Sequence, residues 1–517
     1  MTSGIHHLTL ITRDVQANID FYAGFLGLRL VKQTGGYEDA EQLHLFYGDR
    51  LGTPGSLITF LVWQDGSAGR VGHGQVSEIA LAVPPASIGF WLTRALTRQV
   101  PTAGPRQEFG EPVLRLRDPD GVVVKLVGVE MPAASPWLSP GIEPGDAILR
   151  LRGATILSET PEETAHFVGR FGYEAAAKAD GVQRLVSGSG DVIDVQEAAG
   201  FWPGAPGTGV ADHVAFRAED VAAVTAAEAS LARLNSSITN RHDRKYFTSL
   251  YVREPGGTLI ELATDGPGFT VDEAEPELGK TLMVPPSDAE RAEAIRVMLP
   301  QFALPGEPRP TYRDLPFVHR FHVPEQDDGS TIVLLHGTGG SEADLMPLAR
   351  RAAPRAGLLG LRGRSTEEGT ARWFRRLGEG RFDQADIRTE AEAFAAFVEE
   401  AVKAYGLDPD RTTWLGYSNG ANFLAAAMRL HPGLIRKAVL LRAIDVLEEQ
   451  PQADLSDSAT LIVAGASDPY APGAAALAEQ LRKAGGHVAL ARIDAGHALA
   501  DADAGTIKAW LAGAPAK

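Results

Sequence analysis

The sequence predicts a multidomain chain in which four α+β modules of βαβββ type precede a doubly wound α/β domain. Three observations carry this. A strand–helix–strand pattern recurs four times before residue 265, each time closing on a turn that feeds a β-rich run. Beyond residue 311, apolar strands alternate with amphipathic helices. At 517 residues the chain is too long for one core and implies two to four domains.

In the first module Gly4 to Thr12 reads as a strand, and Asp14 to Leu26 as a helix with Ile19, Phe21, Tyr22 and Phe25 available for burial. Leu43 to Tyr47 and Ser56 to Val62 read as further strands. The second module opens at Ser77 to Val83 and closes at Asp118 to Lys125. Leu149 to Leu157 and Gly190 to Asp194 bound the third, and Asp212 to Leu262 is the fourth. The boundaries are 1–135 for the first two modules, 145–265 for the next two, 266–310 for a tail and Pro-rich linker, and 311–517 for the last domain.

Aligned by their closing turns, the modules place His7, Glu78, Gly153 and His213 at one opening position. Thr59 or Phe60, Lys125, Asp194 and Glu261 share the closing position. His213 starts one strand and Glu261 ends its neighbour, so the two-residue period puts both on one concave face, where they supply two-thirds of a facial metal triad. His7 holds the position of His213 and is preferred over His6, because adjacent strand residues point to opposite faces. The bland alternative makes Glu261 a sheet ion pair, as Glu78 with Lys125 is in the second module. Of the 13 histidines, the ten other than His7, His213 and His497 read as surface or hydrogen-bonded residues.

Composition narrows the function. A net charge of −17 and a pI near 5.3 argue against nucleic-acid or anionic-membrane partners, and Arg372 to Arg376 reads as a solvated helix face. With no cysteine, disulfides and thiolate chemistry are excluded and metal ligands must be His, Asp or Glu. The start shows no signal-peptide core and no run is long enough to span a bilayer, so a cytoplasmic location is expected, with homo-oligomerisation left open.

The His-His-Leu-Thr of the first strand, His-Val-Ala-Phe from His213, and Arg-Glu-Pro-Gly-Gly-Thr-Leu-Ile-Glu-Leu-Ala-Thr-Asp from Arg253 resemble the vicinal-oxygen-chelate superfamily. Asn18-Ile-Asp-Phe-Tyr, Leu26 to Lys32 and Asp243-Arg-Lys-Tyr-Phe-x-Ser-Leu-Tyr most resemble its hydroquinone ring-cleaving dioxygenases. The resemblance covers residues 1 to about 305. It implies iron(II), with manganese(II) as the alternative, held by His7, His213 and Glu261, and Arg244 and Tyr251 beside an aromatic substrate and dioxygen. Asp212 stands where such enzymes often carry a histidine, which leaves the acid–base helper open. A glyoxalase-like isomerase would need a fourth ligand and a non-catalytic ligand-binding module none. Thr59 or Phe60 supplies no carboxylate, which favours three ligands and open positions for substrate and dioxygen.

In the linker, Ser287 to Glu290 reads as a capping box opening a short helix that ends at Pro300. Downstream, strand Thr331 to Leu335 runs into His336-Gly-Thr-Gly-Gly, and helix Glu390 to Tyr405 starts from a Thr389-x-x-Glu392 box and stops at Gly406. Strand Thr412 to Leu415 turns through Gly416-Tyr-Ser-Asn-Gly420 into helix Ala421 to Leu430, the context of a nucleophile elbow. Asp468 and His497 follow later strands, in the Ser418, Asp468, His497 order of α/β-hydrolases. This part resembles the carboxylesterase and phospholipase family of serine hydrolases. By that analogy the backbone N–H groups of Thr338 and Asn419 form the oxyanion hole, and an ester or acyl compound is the substrate. His336 reads as structural. Arg372-Trp-Phe-Arg-Arg reads either as an acyl-pocket lining or as a packed amphipathic segment.

Overall fold

The computed structural model describes residues 4–37, 39–133, 135–232, 239–309, 315–378 and 380–513. They fall into two compact units, Met1–Ala289 with Phe302–Pro308, and Glu290–Gln301 with Arg309–Lys517. The segment assigned to a tail and linker is thus divided between them, and the boundary at residue 311 lies outside the described residues.

The N-terminal unit consists of four βαβββ modules. The first is β1 (Ile5–Thr12), α1 (Val15–Ile19), β2 (Arg29–Gly35), β3 (Leu43–Gly48) and β4 (Leu57–Val62). The second is β5 (Gln75–Val83), α2 (Ile88–Thr97), β6 (Thr102–Glu108), β7 (Glu111–Arg117) and β8 (Val123–Gly128). The third is β9 (Arg150–Ser158), α3 (Pro161–Gly169), β10 (Tyr173–Ala179), β11 (Val182–Ser187) and β12 (Val192–Glu197). The fourth is β13 (Ala211–Ala218), α4 (Val221–Ala232), β14 (Asn240–Asp243), β15 (Thr248–Arg253) and β16 (Leu259–Thr264).

The first module shares no sheet with the second, nor the third with the fourth. The first joins the fourth in the order β14-β15-β16-β13-β1-β4-β3-β2, and the second joins the third in the order β10-β11-β12-β9-β5-β8-β7-β6. The division at 135 and 145 therefore follows the chain and not the sheets. Antiparallel pairing of β1 with β13, His7 opposite Ala215, brings the two histidine-bearing strands together.

The module register agrees with the sequence alignment. Thr9 pairs with Thr59, Ala80 with Lys125, Thr155 with Asp194 and Ala215 with Glu261, each two residues after the opening position. Thr59, not Phe60, is the closing residue of the first module. Strand β2 was absent from the sequence reading because it is buried on both faces and carries Arg29 and Lys32, which masks the period-2 signal. The helix expected over Asp14 to Leu26 is a short α1, capped by the Asp14 carboxylate on the Ala17 N–H, that widens into a π-helical stretch at Asp20–Phe25.

Residues beyond β16 fold back on this sheet. Strand β17 (Leu282–Met283) pairs with β2, and the fully buried Lys32 ammonium meets Asp272 at 2.8 Å and also Glu273. Asp272 in turn accepts from Tyr246 Oη at 2.9 Å and pairs with Lys245 at 2.6 Å. The tail thus anchors the loop that carries Arg244.

The C-terminal unit begins with α5 (Ala292–Met298), whose N-cap is Arg291 with no side-chain cap bond; Ser287, where the capping box was expected to open the helix, lies instead in a 3-10 turn at Pro286–Arg291. Its sheet comprises β18 (His319–His322), β19 (Thr331–Leu335), β20 (Gly357–Leu361), β21 (Thr412–Tyr417), β22 (Lys437–Leu441), β23 (Ala459–Gly465) and β24 (His487–Ile493). The order is β18-β20-β19-β21-β22-β23-β24, parallel except for β18. Helices α6 (Met346–Ala352), α7 (Gln384–Tyr405), α8 (Asn419–Leu430), α9 (Ala471–Lys483) and α10 (Asp501–Leu511) complete the unit. Helix α7 starts before Thr389, because the Asp383 carboxylate caps the N–H groups of Ala385 and Asp386. Thr389 instead donates to the Ala385 carbonyl. Arg372 to Arg376 is no helix face: Trp373 and Phe374 are buried in the core. Among the described residues no helix is long and apolar enough to cross a membrane.

Candidate functional site

In the sheet shared by the first and fourth modules, β1, β13 and β16 bring together His7, His213 and Glu261, all buried. His7 Nε2 lies 3.2 Å from His213 Nε2 and 3.3 Å from Glu261 Oε2, which is 2.7 Å from His213 Nε2. Glu261 Oε1 accepts from Ser249 Oγ at 2.5 Å, whereas Oε2 is buried and makes no hydrogen bond. Two imidazole nitrogens and an unsatisfied carboxylate oxygen facing one point form a donor set that fits a divalent cation.

The outer contacts orient these donors. His213 Nδ1 lies 2.7 Å from Asp212 Oδ2, so the tautomer that donates to Asp212 leaves Nε2 free to bind a cation. Burial lowers the affinity of His213 for a proton, but Asp212 and Glu261 outweigh it and raise its pKa to about 9, so a cation binding at Nε2 would displace a proton. Burial also disfavours an ionised Glu261, yet His7 and His213 hold it well below the usual carboxylate range.

The expectation that His6 lies on the opposite face, away from the site, is not met. A bulge where β1 meets β13 between Ile5 and His7 swings the two rings together, with Nδ1 atoms 2.8 Å apart. Burial and the neighbouring His7 push the His6 pKa down to about 3, so it stays neutral and can accept the Nδ1 proton of His7. His6 thus contacts His7 without joining the three-donor set.

His7 and His213 line a cavity of about 530 Å³. Arg244 and Tyr251, on and beside β15, both line it, with Arg244 Nη2 3.5 Å from Tyr251 Oη and its guanidinium 5.6 Å from the Tyr251 and Tyr37 ring centres. Burial and the Glu261 charge push the Tyr251 phenol up, so it remains protonated. His44 also lines the cavity and was missed, since a lone histidine in a strand carries no signal of its own. Its Nε2 lies 2.9 Å from Thr59 Oγ1, which is 2.9 Å from Thr9 Oγ1. The closing position of the first module is thus occupied by a hydroxyl engaged within the protein.

In the other sheet the equivalent positions hold ion pairs. Lys125 Nζ lies 3.2 Å from Glu78 and 3.8 Å from Asp194, and Arg184 grips Asp194 through two 2.8 Å hydrogen bonds. A lysine ammonium there meets the carboxylates that a metal would otherwise need to neutralise.

In the C-terminal unit, Ser418 sits between β21 and α8 at φ 50° and ψ −113°, a left-handed conformation that costs about 1–3 kcal/mol in a non-glycine residue. Tight packing imposes it: a Cβ on Gly416 would fall 2.7 Å from the Ala421 Cα, and one on Gly420 2.3 Å from the Leu335 carbonyl oxygen. Ser418 Oγ lies 2.9 Å from His497 Nε2, and His497 Nδ1 lies 3.0 Å from the buried Asp468. His336 is buried and accepts from the Gly363 N–H at 3.0 Å. Arg442, also buried, donates to the carbonyls of Gly496 at 2.9 Å and Ala498 at 3.1 Å, holding the loop on both sides of His497.

Asp272 offers a test of the tail. Asp272→Ala is expected to destabilise the N-terminal unit by about 1–3 kcal/mol, the cost of stranding buried hydrogen-bond partners. It should loosen the Arg244 loop while metal stays bound. A denaturant titration and metal analysis check both; an unchanged midpoint would remove the tail from the account.

Residues 4–126 match the family model of the glyoxalase/bleomycin resistance protein/dioxygenase superfamily. The chain is 37% identical over 311 residues to Bacillus subtilis MhqO, provisionally named a ring-cleaving dioxygenase, covering 60% of this chain and 98% of that protein. It is 33% identical over 309 residues to the chlorohydroquinone/hydroquinone 1,2-dioxygenase of Sphingobium indicum, covering 57% of this chain and 95% of that one. A further 192 residues are 32% identical to B. subtilis MhqD, provisionally named a hydrolase, covering 37% of this chain and 96% of that protein. With the His7, His213 and Glu261 site in one unit and the Ser418 elbow in the other, the chain belongs to the ring-cleaving dioxygenase family of the glyoxalase superfamily, fused to a member of a hydrolase family.

Proposed function

We propose that the N-terminal unit is an iron(II)-dependent dioxygenase that opens the ring of hydroquinone or catechol-like substrates, and that the C-terminal unit is a carboxylesterase-type serine hydrolase acting on the ring-opened product. The observation that carries the first half is the unsatisfied Glu261 Oε2 facing two imidazole nitrogens at a cavity of about 530 Å³. That volume accommodates a single substituted ring. The metal, manganese(II) being the alternative, would be held by His7, His213 and Glu261, and when bound supplies the one-electron relay that singlet ring and triplet oxygen need.

The protein's own groups do the rest. Arg244 is placed to hold an anionic ring oxygen, and Tyr251, kept protonated, to donate a proton to the opening ring. Asp212 fixes His213, and the aromatic walls contributed by Phe46 and Phe247 limit water. A glyoxalase-like isomerase is less well supported, because the fourth ligand position is Thr59, engaged with His44 and Thr9.

In the hydrolase, Ser418 Oγ attacks an acyl carbon as His497 takes its proton, Asp468 fixes the imidazole tautomer, and the N–H groups of Thr338 and Asn419 receive the developing oxyanion. The fusion supports a shared route, since the two B. subtilis relatives are separate proteins and here one chain carries both activities.

The test is oxygen uptake by protein loaded anaerobically with iron(II), across a panel of hydroquinones and catechols. One dioxygen consumed per ring lost is expected; metal-loaded protein inert to the whole panel would sink the dioxygenase reading. Tyr251→Phe should keep its metal and lose on the order of 100-fold in turnover. Wild-type turnover in that variant would remove the phenol from the mechanism.

A further inference from the structure

We propose that the serine site selects acyl substrates bearing a second, ionised carboxylate, and that Arg372 receives that carboxylate. This rests on the serine-hydrolase reading and names its substrate class. The residues concerned lie on the arm of a hairpin formed by Ser365–Glu367 and Thr370–Arg372. Three consecutive residues of this arm bind the two segments assigned to the oxyanion hole. The Ala371 carbonyl accepts from the Gly339 N–H at 2.9 Å, Arg372 Nη1 donates to Thr338 Oγ1 at 3.2 Å, and the Trp373 N–H donates to Asn419 Oδ1 at 2.9 Å. The guanidinium is therefore one side chain away from the position of the acyl oxygen.

Its charge is under-compensated. The Arg372 side chain is 10% exposed, and its Nε makes no hydrogen bond although Glu367 Oε2 lies 2.9 Å away. Glu367 is shared with Arg376 at 3.5 Å, so one carboxylate serves two guanidinium groups. Glu368, at the hairpin tip, faces solvent. A largely buried cation with an unsatisfied Nε and half a carboxylate is costly as a structural element, since apolar residues fill such a place at lower cost. Beside an acyl site its planar fork matches a carboxylate. The proposed upstream reaction provides one: inserting both atoms of dioxygen between a hydroxyl-bearing ring carbon and its neighbour leaves the hydroxyl-bearing carbon as a carboxylate and the neighbour as a carbonyl. Hydrolysis then balances simply. Where the neighbouring carbon carried a halogen the carbonyl is an acyl halide: its carbon bonds to Ser418 Oγ as halide departs and His497 takes the serine proton and passes it to solvent, and water, deprotonated by His497, then releases the acid as the proton returns to Ser418 Oγ.

The test uses the full chain and two esters of equal length, mono-para-nitrophenyl adipate and para-nitrophenyl hexanoate, which differ in a terminal carboxylate against a methyl. Wild type is expected to prefer the adipate. Arg372→Gln should lower the adipate-to-hexanoate ratio of kcat/KM by about 10- to 100-fold, the worth of a charged hydrogen bond, chiefly through KM. Arg372→Lys, which keeps charge but not the fork, should retain part of the ratio. Wild-type inhibition by adipate and not by hexanoate gives the same reading without substitution, should Arg372→Gln fail to fold. An unchanged ratio, or equal inhibition, overturns the role of Arg372 while leaving the serine hydrolase standing. Absence of ester hydrolysis and of fluorophosphonate labelling at Ser418 in wild type would overturn both.

Discussion

Glu261→Gln and His213→Ala are expected to purify without bound metal and to consume no oxygen, with ester hydrolysis within about twofold of wild type, as for substitutions with no shared partners. Neither replacement keeps the set of two imidazoles and one carboxylate. Glutamine also discards the charge that offsets a dication in a buried site, and alanine removes the nitrogen that Asp212 orients. Asp212→Asn grades the effect, since loss of an outer partner typically weakens a metal site by about 10- to 100-fold. His6→Ala should behave similarly, because His6 supports the His7 ring from behind. Elemental analysis after anaerobic reconstitution, paired with an oxygen electrode, measures both quantities. Wild-type metal content in Glu261→Gln would mean that the three side chains form only an ion-pair cluster.

Ser418→Ala is expected to abolish ester hydrolysis, by roughly 10⁴-fold or more, because nucleophile, base and orienting acid act as a unit. Oxygen uptake on a hydroquinone should stay at the wild-type rate. If the second site acts on the product of the first, a ring-opened intermediate accumulates in the variant. Mass spectra of wild type and variant after equal oxygen consumption would show it; identical profiles for every substrate would detach the hydrolase from ring cleavage.

The site was more legible in the sequence than the path of the sheets. Alignment on the closing turns placed Thr59 or Phe60, Lys125, Asp194 and Glu261 in one register because a glycine turn before a strand is a local feature, and the strand pairing selects Thr59. The pairing of β1 with β13 joins residues some 200 positions apart, and no local pattern encodes such a partner. Buried charge hid β2, where Lys32 looks like a solvent-facing residue until Asp272 and Glu273 arrive from the tail. The same holds for His6: a period-2 rule assigns it outward, and only the bulge beside it reverses that. For α7, a Thr-x-x-Glu pattern drew attention from Asp383, which caps the helix but has Asp386, not Glu or Gln, three residues on.

The ammonium of Lys125, seated between Glu78 and Asp194, has a consequence for an enzyme that handles oxygen. A ferrous ion can be oxidised, chelated or lost, whereas a cation covalently attached to the chain cannot. One sheet therefore stays charge-balanced in every redox state of its surroundings, and it can hold the paired sheet in place while that sheet is empty. On the proposed iron(II) reading, inactivation is expected to be a change of occupancy and not of fold, so iron(II) and reductant should restore oxygen uptake to aerobically inactivated protein.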